Sequence, residues 1–240
     1  MPSTSEGAQT HIMQPQYSLR RKEKAMAKVI GLMGESGSGK TTSCRNLDPA
    51  TTFYIDCDKK GLSWKGWKKD YNADKKNYFK TDVVGTVATL LNKINKQDNM
   101  KHIKVVVVDT LNGLMVADEM RRSKEKGFDK WVDLAQCIWD LVNESLEMRD
   151  NLTIIFVCHS QTQKEDDGYT FTRIKTSGKK LDKLCIESKL TTVLHAVCEG
   201  GEYKFKVHAN NSTAKTPMGA FEADEIDNDI TKVLDALKEY

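Results

Sequence analysis

The residues with the plainest chemistry lie in one run, Gly34-Glu35-Ser36-Gly37-Ser38-Gly39-Lys40-Thr41-Thr42. Gly34 to Thr41 fit the spacing G-x-x-x-x-G-K-[ST], which cradles the phosphates of a nucleoside triphosphate. Gly34, Gly37 and Gly39 let backbone N–H groups turn toward an anion without Cβ obstruction. A helix that starts near Gly39 points its positive end at the same phosphates. Lys40 can reach the β- and γ-phosphates as a point charge, and the Thr41 hydroxyl can ligate Mg²⁺.

Further polar groups fall where strands end. Ile103-Lys104-Val105-Val106-Val107-Val108-Asp109-Thr110 is a β-branched run, the pattern of a buried parallel strand, and Asp109 closes it. Placed about 70 residues after the phosphate loop, that acid can hold a metal shell through water. Thr52-Phe53-Tyr54-Ile55-Asp56-Cys57-Asp58 reads as another strand, with Asp56 and Asp58 on one side of its C-terminal end. Either can hold a water or a metal; a solvated loop start fits Asp56 equally. Leu152 to His159 is a further apolar strand, and His159 at its end is either structural or a polar sensor beside the nucleotide.

Positioning these groups takes an alternation of strands and helices. Val29, Ile30, Leu32 and Met33 form the strand before the loop, and Pro49 stops the helix after it. Helical spacing recurs from Val83 to Ile94 and from Trp131 to Met148, the latter with Val132, Ala135, Ile138, Trp139, Val142 and Leu146 on its inner side. Residues 59–80 hold eight lysines and two aspartates among Trp64, Trp67, Tyr71, Tyr78 and Phe79. That segment is either an amphipathic helix with an aromatic core face or a surface that stacks single-stranded bases. Residues 117–130, with Arg121, Arg122, Lys124, Lys126 and Lys130, read as a mobile basic loop. Residues 160–180 form a second basic stretch with Lys164, Arg173 and Lys175, in which Tyr169 to Ile174 alternates like a hairpin strand. Gly200-Gly201 joins Val193–Cys198 to Tyr203–Val207 as a two-residue hairpin turn. Residues 221–240 are acidic, yet Ile226, Ile230, Val233, Leu234 and Leu237 keep a helical period, which predicts a docked terminal helix.

A chain of 240 residues suffices for one α/β domain, here 28–220, with a flexible basic arm at 1–27 and the terminal helix at 221–240. A net charge of +3 excludes a polycation, so any nucleic-acid surface must be local. The six cysteines form no C-x-x-C pair and sit largely in apolar patterns, as expected of reduced thiols in a cytoplasm. No run reaches the length of a membrane span, and the N-terminus lacks a signal-peptide core.

These motifs together resemble the RecA-type ATPase core over residues 28–230. The resemblance implies an α/β, RecA-like P-loop NTPase fold: a mostly parallel twisted sheet, helices on both faces, and a C-terminal β-hairpin extension. It implies ATP and Mg²⁺ as ligands, with Thr41 and Asp109 on the metal. The family's Asp-x-Glu pair, whose Glu activates water, is matched by Asp56-Cys57-Asp58, which puts Asp58 in the glutamate's place with one methylene fewer. Its strand-end Gln sensor is matched by His159, so Lys40, Asp58 and His159 are the expected catalytic set. Its two DNA-binding loops fall on 117–130 and 160–180. Lys215, Thr216 and Pro217, before Phe221, resemble the segment that caps ATP from a neighbouring subunit. The chain's brevity resembles phage-encoded RecA-like single-strand annealing and recombination proteins. The implied partners are single-stranded DNA, a single-strand-binding protein and further copies of this chain in a head-to-tail filament or ring. A small-molecule phosphotransferase and a nucleotide-gated scaffold are the rival readings.

Overall fold

The computed structural model describes residues 26–127, 129–164, 166, 168–177 and 185–240; the basic arm expected at the N-terminus lies outside them, apart from its last two residues. Five strands come first in the chain, all but β3 where the sequence predicts a strand. They are β1 (Lys28–Gly34), β2 (Thr52–Asp56), β3 (Tyr78–Lys80), β4 (Val105–Asp109) and β5 (Thr153–Lys164). Strands β6 (Thr170–Ile174), β7 (Thr192–Glu199), β8 (Glu202–Lys206) and β9 (Glu225–Asp227) complete a sheet of order β3-β2-β4-β5-β1-β7-β8-β9. From β3 to β7 all neighbours are parallel; β8 and β9 add antiparallel at one edge.

Parallel strands need crossovers, and the helices supply them on both faces. They are α1 (Lys40–Ser43), α2 (Trp67–Asp70), α3 (Val84–Lys96), α4 (Leu111–Arg121), α5 (Asp129–Leu146) and α6 (Ile230–Ala236). Strand alternation sorts the core. Val106 and Val108 of β4 join Val87, Leu91 and Ile138 under α3 and α5. Val105 and Val107 join Leu47, Tyr71, Ile230 and Val233 on the other face. Because β1, β2, β4 and β5 all run the same way, Gly34, Asp56, Asp109 and His159 all arrive at one end of the sheet. Gly34 stands beside His159, and Asp56 beside Asp109.

Strand β5 is long enough to leave the sheet. Its first half pairs with β1 and β4, while Ser160 to Lys164 pair antiparallel with β6 as a protruding hairpin. The hairpin around Gly200-Gly201 forms as its sequence predicts, both glycines having positive φ (60° and 86°) as a two-residue turn requires.

Four expectations change. The 117–130 stretch is not one basic loop, because α4 extends to Arg121 and α5 begins at Asp129. On α5 the inner side includes Leu134 and Leu141, whereas Val132 is exposed. Residues 59–80 form neither a long helix nor an open stacking surface. Left-handed turns at Gly61 and Gly66 leave only the single turn α2 and the short β3. Their aromatics pack edge-on, Tyr71 within 5.8 Å of Tyr54 and 6.0 Å of Trp64, as a satellite of the core. Residues 221–240 divide into β9 and α6, because Ile226 pairs with Phe205 in the sheet and Asp229 caps the helix by accepting from Thr231 N–H. Among the described residues no helix is long and apolar enough to cross a membrane.

Candidate nucleotide site

The turn after β1 is shaped by what cannot fit there. A Cβ on Gly34 would stand 2.4 Å from Ser38 Oγ and 2.5 Å from the Ala196 carbonyl, so only glycine brings β1 this close to β7. Gly39 has φ +87°, which an L side chain rarely adopts, and the chain turns there into α1. That helix is a single turn, extended by a 3-10 turn over Cys44–Asn46 before Pro49. Around the loop lies a cavity of about 760 Å³. Ser36, Gly37, Gly39, Lys40, Thr41, Thr42, Thr110 and His159 line it on one side, with Arg45, Lys60, Ser63 and the C-terminal corner on the other.

Lys40 is buried, and its Nζ donates to Gly34 O (2.9 Å) and Glu35 O (2.5 Å), on the inner side of the loop. Burial pulls its ammonium below the ordinary lysine value, and the nearby Asp109 carboxylate opposes that pull. Thr41 Oγ1 donates to Asp109 Oδ2 at 2.7 Å, and the buried Tyr54 hydroxyl donates to the same oxygen at 2.7 Å. The other oxygen, Oδ1, is buried and has no hydrogen-bond partner among the described residues. Burial pushes this carboxyl above its usual range in spite of the two hydroxyls. A threonine hydroxyl and a carboxylate with one oxygen free suit a hard, oxygen-liking divalent cation. Thr41 and Asp109 are therefore the residues that would hold Mg²⁺, which supplies charge neutralisation to the phosphates when bound.

The remaining expected residues separate. Asp56 is structural: it is buried and accepts from Gly61 N–H (2.8 Å) and the Tyr78 hydroxyl (2.6 Å). Asp58 does not line the cavity. Its Oδ1 accepts from the Thr110 hydroxyl (2.9 Å) and its Oδ2 pairs with Lys60 (2.7 Å), so it reaches the site through Thr110. His159 lines the cavity, and burial, then Lys40, hold its ring below the usual histidine value, which favours the neutral form. Lys215, Thr216 and Pro217 lie outside this chain's own cavity; Lys215 exchanges backbone hydrogen bonds with Val193 (2.8 and 2.9 Å).

Of the basic residues expected on DNA, three have acidic partners within the fold. Arg121 pairs with Asp82 (3.2 Å) and donates to its carbonyl (2.6 Å). Arg122 is surrounded by Asp118, Glu125 and Asp133. Arg173 lies 3.9 Å from the buried carboxylate of Glu187. Lys124, Lys126, Lys164 and Lys175 remain exposed.

Sequence reasoning passed over Asn112. It stands in the first turn of α4, three residues after Asp109, and is buried. Its Oδ1 accepts from His159 N–H (2.7 Å), its Nδ2 donates to Lys175 O (2.7 Å), and Lys175 N–H donates to His159 O (2.7 Å). One amide thus joins the exit of β4 to the base of the β5–β6 hairpin. The only hint in the sequence is a polar residue between Leu111 and Leu114, both wholly buried. Tyr203, Asn228 and Lys232, on the cavity's far side, were also passed over because β8, β9 and α6 reach it only through the fold.

The family of AAA domains matches residues 26–218, most of the chain, including the phosphate loop, Asp109 and His159. The chain belongs to that family. This AAA domain is accordingly a P-loop NTPase domain. Among solved structures it is similar to the flagellar accessory protein FlaH from Methanocaldococcus jannaschii, with 16% identity, 75% of this chain and 76% of that chain covered, and a TM-score of 0.37. It is also similar to the P4 protein from bacteriophage phi6 in complex with ADP, with 13% identity, 86% of this AAA domain and 62% of that chain covered, and a TM-score of 0.39. None of the curated proteins matches it.

Proposed function

We propose that this AAA domain binds and hydrolyses ATP and couples that cycle to single-stranded DNA, in strand annealing or recombination, as in the short phage-encoded RecA-like proteins it resembles. The observation that carries the coupling is the Asn112 bridge. The residue that lines the nucleotide cavity, His159, and the residue that closes the hairpin, Lys175, are held by the same amide.

In this reading Lys40 exchanges the Gly34 and Glu35 carbonyls for phosphate oxygens. Thr41 and Asp109 hold the metal, Asp58 orients the attacking water from beside Thr110, and His159 meets the γ-phosphate. Movement at His159 then passes along β5 without a break into the hairpin. There Tyr169 and Phe171 stack on each other with centroids 6.3 Å apart, Tyr169 is about half exposed, and Lys164 is exposed beside them. Aromatic rings with a neighbouring cation suit unpaired bases and their phosphates. Copies of the chain stack head to tail, with Lys215, Thr216 and Pro217 completing a neighbour's site. A phosphotransferase would need an arginine lid, and the carboxylates around Arg121 and Arg122 argue against one from that segment.

Phosphate release measured with and without oligothymidylate tests the coupling. The expected result is a severalfold stimulation in the wild type that a Tyr169→Ala, Phe171→Ala double variant loses while keeping its basal rate. Equal rates with and without DNA in the wild type would remove DNA from the account.

A further inference from the structure

The phosphate-binding groups of the cavity are accounted for by Lys40, Thr41 and Asp109, but a second wall is built just as definitely. There β8, β9 and the turn into α6 face the outer side of α1 through Tyr203, Asn228 and Arg45. Asn228 is only 6% exposed, and its Nδ2 has no hydrogen-bond partner among the described residues. A buried amide donor without an acceptor is unfavourable unless something supplies one.

The backbone around it is fixed. Arg45 Nη1 donates both to Thr42 O (3.1 Å) and to Asn228 O (3.0 Å), tying the corner to α1. The next residue, Asp229, accepts from Asn46 Nδ2 (2.6 Å) and from Thr231 N–H (3.0 Å). The Asn228 side chain is thereby held over the phosphate loop. Its Oδ1 and Nδ2 stand 3.1 and 3.3 Å from the point where a Cβ on Gly39 would lie, and the Tyr203 ring stands 2.8 Å from the same point.

We propose that Asn228 and Tyr203 form the nucleobase subsite, with Asn228 hydrogen-bonding the base edge and the Tyr203 ring packing against the base. This rests on the nucleotide-site reading and adds the residues that recognise the nucleoside. A carboxamide presents one donor and one acceptor side by side. Adenine answers both on either of its edges, since its exocyclic amine donates beside a ring nitrogen that accepts. Base and ribose both offer acceptors, so the test separates them.

Dissociation constants for ATP and for ribose triphosphate, which lacks the base, are to be measured by calorimetry in Mg²⁺ on the wild type, Asn228→Ala and Asn228→Leu. The leucine keeps nearly the same volume, removes both donor and acceptor, and adds no charge beside the phosphates. The expected result is a loss of ATP affinity of roughly 5- to 150-fold in both variants, the range of one good base contact, with ribose triphosphate unchanged. Equal losses for both ligands, or no loss for ATP, would overturn the subsite. Failure of the wild type to bind either ligand would instead overturn the phosphate-loop reading beneath it. Should Asn228→Ala unfold, the near-isosteric Asn228→Leu decides the question alone.

Discussion

Lys40→Ala is expected to lower ATP turnover roughly 100- to 1000-fold, the usual cost of removing one preorganised charge from a transition state. The ammonium lies inside the loop within reach of two loop carbonyls, and no other lysine of the cavity is buried. Burial also lowers its proton affinity, so the site holds this charge at a desolvation cost. The fold therefore does not depend on it. Its loss relieves a desolvation cost and leaves the Gly34 and Glu35 carbonyls facing the cavity. Steady-state phosphate release, with thermal melting as the control, measures both. Turnover within twofold of wild type would remove the loop from the chemistry.

Asp109→Asn is expected to separate stability from function. Asparagine can still accept from Thr41 and Tyr54 through one oxygen, but it brings no charge to a metal. Because burial raises the Asp109 value in the folded chain, the folded state holds its proton more tightly than the unfolded state. The unfavourable contribution is therefore fully present above the raised folded value. It disappears as pH falls below the ordinary unfolded value. At neutral pH without nucleotide the variant should melt no lower than wild type, and any advantage should shrink on acidification. With ATP and Mg²⁺ at about 100 times the dissociation constant, wild type should gain about 5–10 °C, and the variant should lose most of that gain. A variant that keeps the full gain would show that Asp109 does not hold the metal.

The parts of the site that could be read from the sequence were those whose physics is local. The phosphate loop needs its glycines and lysine at fixed spacing, and β4 announces itself because a strand buried on both faces is apolar throughout. The Gly200-Gly201 hairpin was equally visible, since its turn demands positive φ at both positions. What failed was whatever depends on a distant partner. Arg121 looked like a free cation because Asp82 is 39 residues away, and Arg173 because Glu187 meets it only after β6 forms. Ile226 kept the helical period of residues 221–240 by coincidence, and only pairing with Phe205 makes it a strand residue. Asn112 and Asn228 carry no spacing signal at all. Their importance appears when His159, Lys175 and Gly39 are brought beside them.

The claim that most of this rests on is that a triphosphate beside His159 governs the grip of the β5–β6 hairpin. The direct measurement is the affinity for fluorescein-labelled oligothymidylate, by anisotropy, with a slowly hydrolysed ATP analogue plus Mg²⁺ and with EDTA, for wild type and Asn112→Ala. The predicted result is tighter binding with the nucleotide in wild type and little difference between the two conditions once the Asn112 bridge is gone. Affinity that ignores the nucleotide in wild type, or that responds to it just as strongly in Asn112→Ala, would contradict the account.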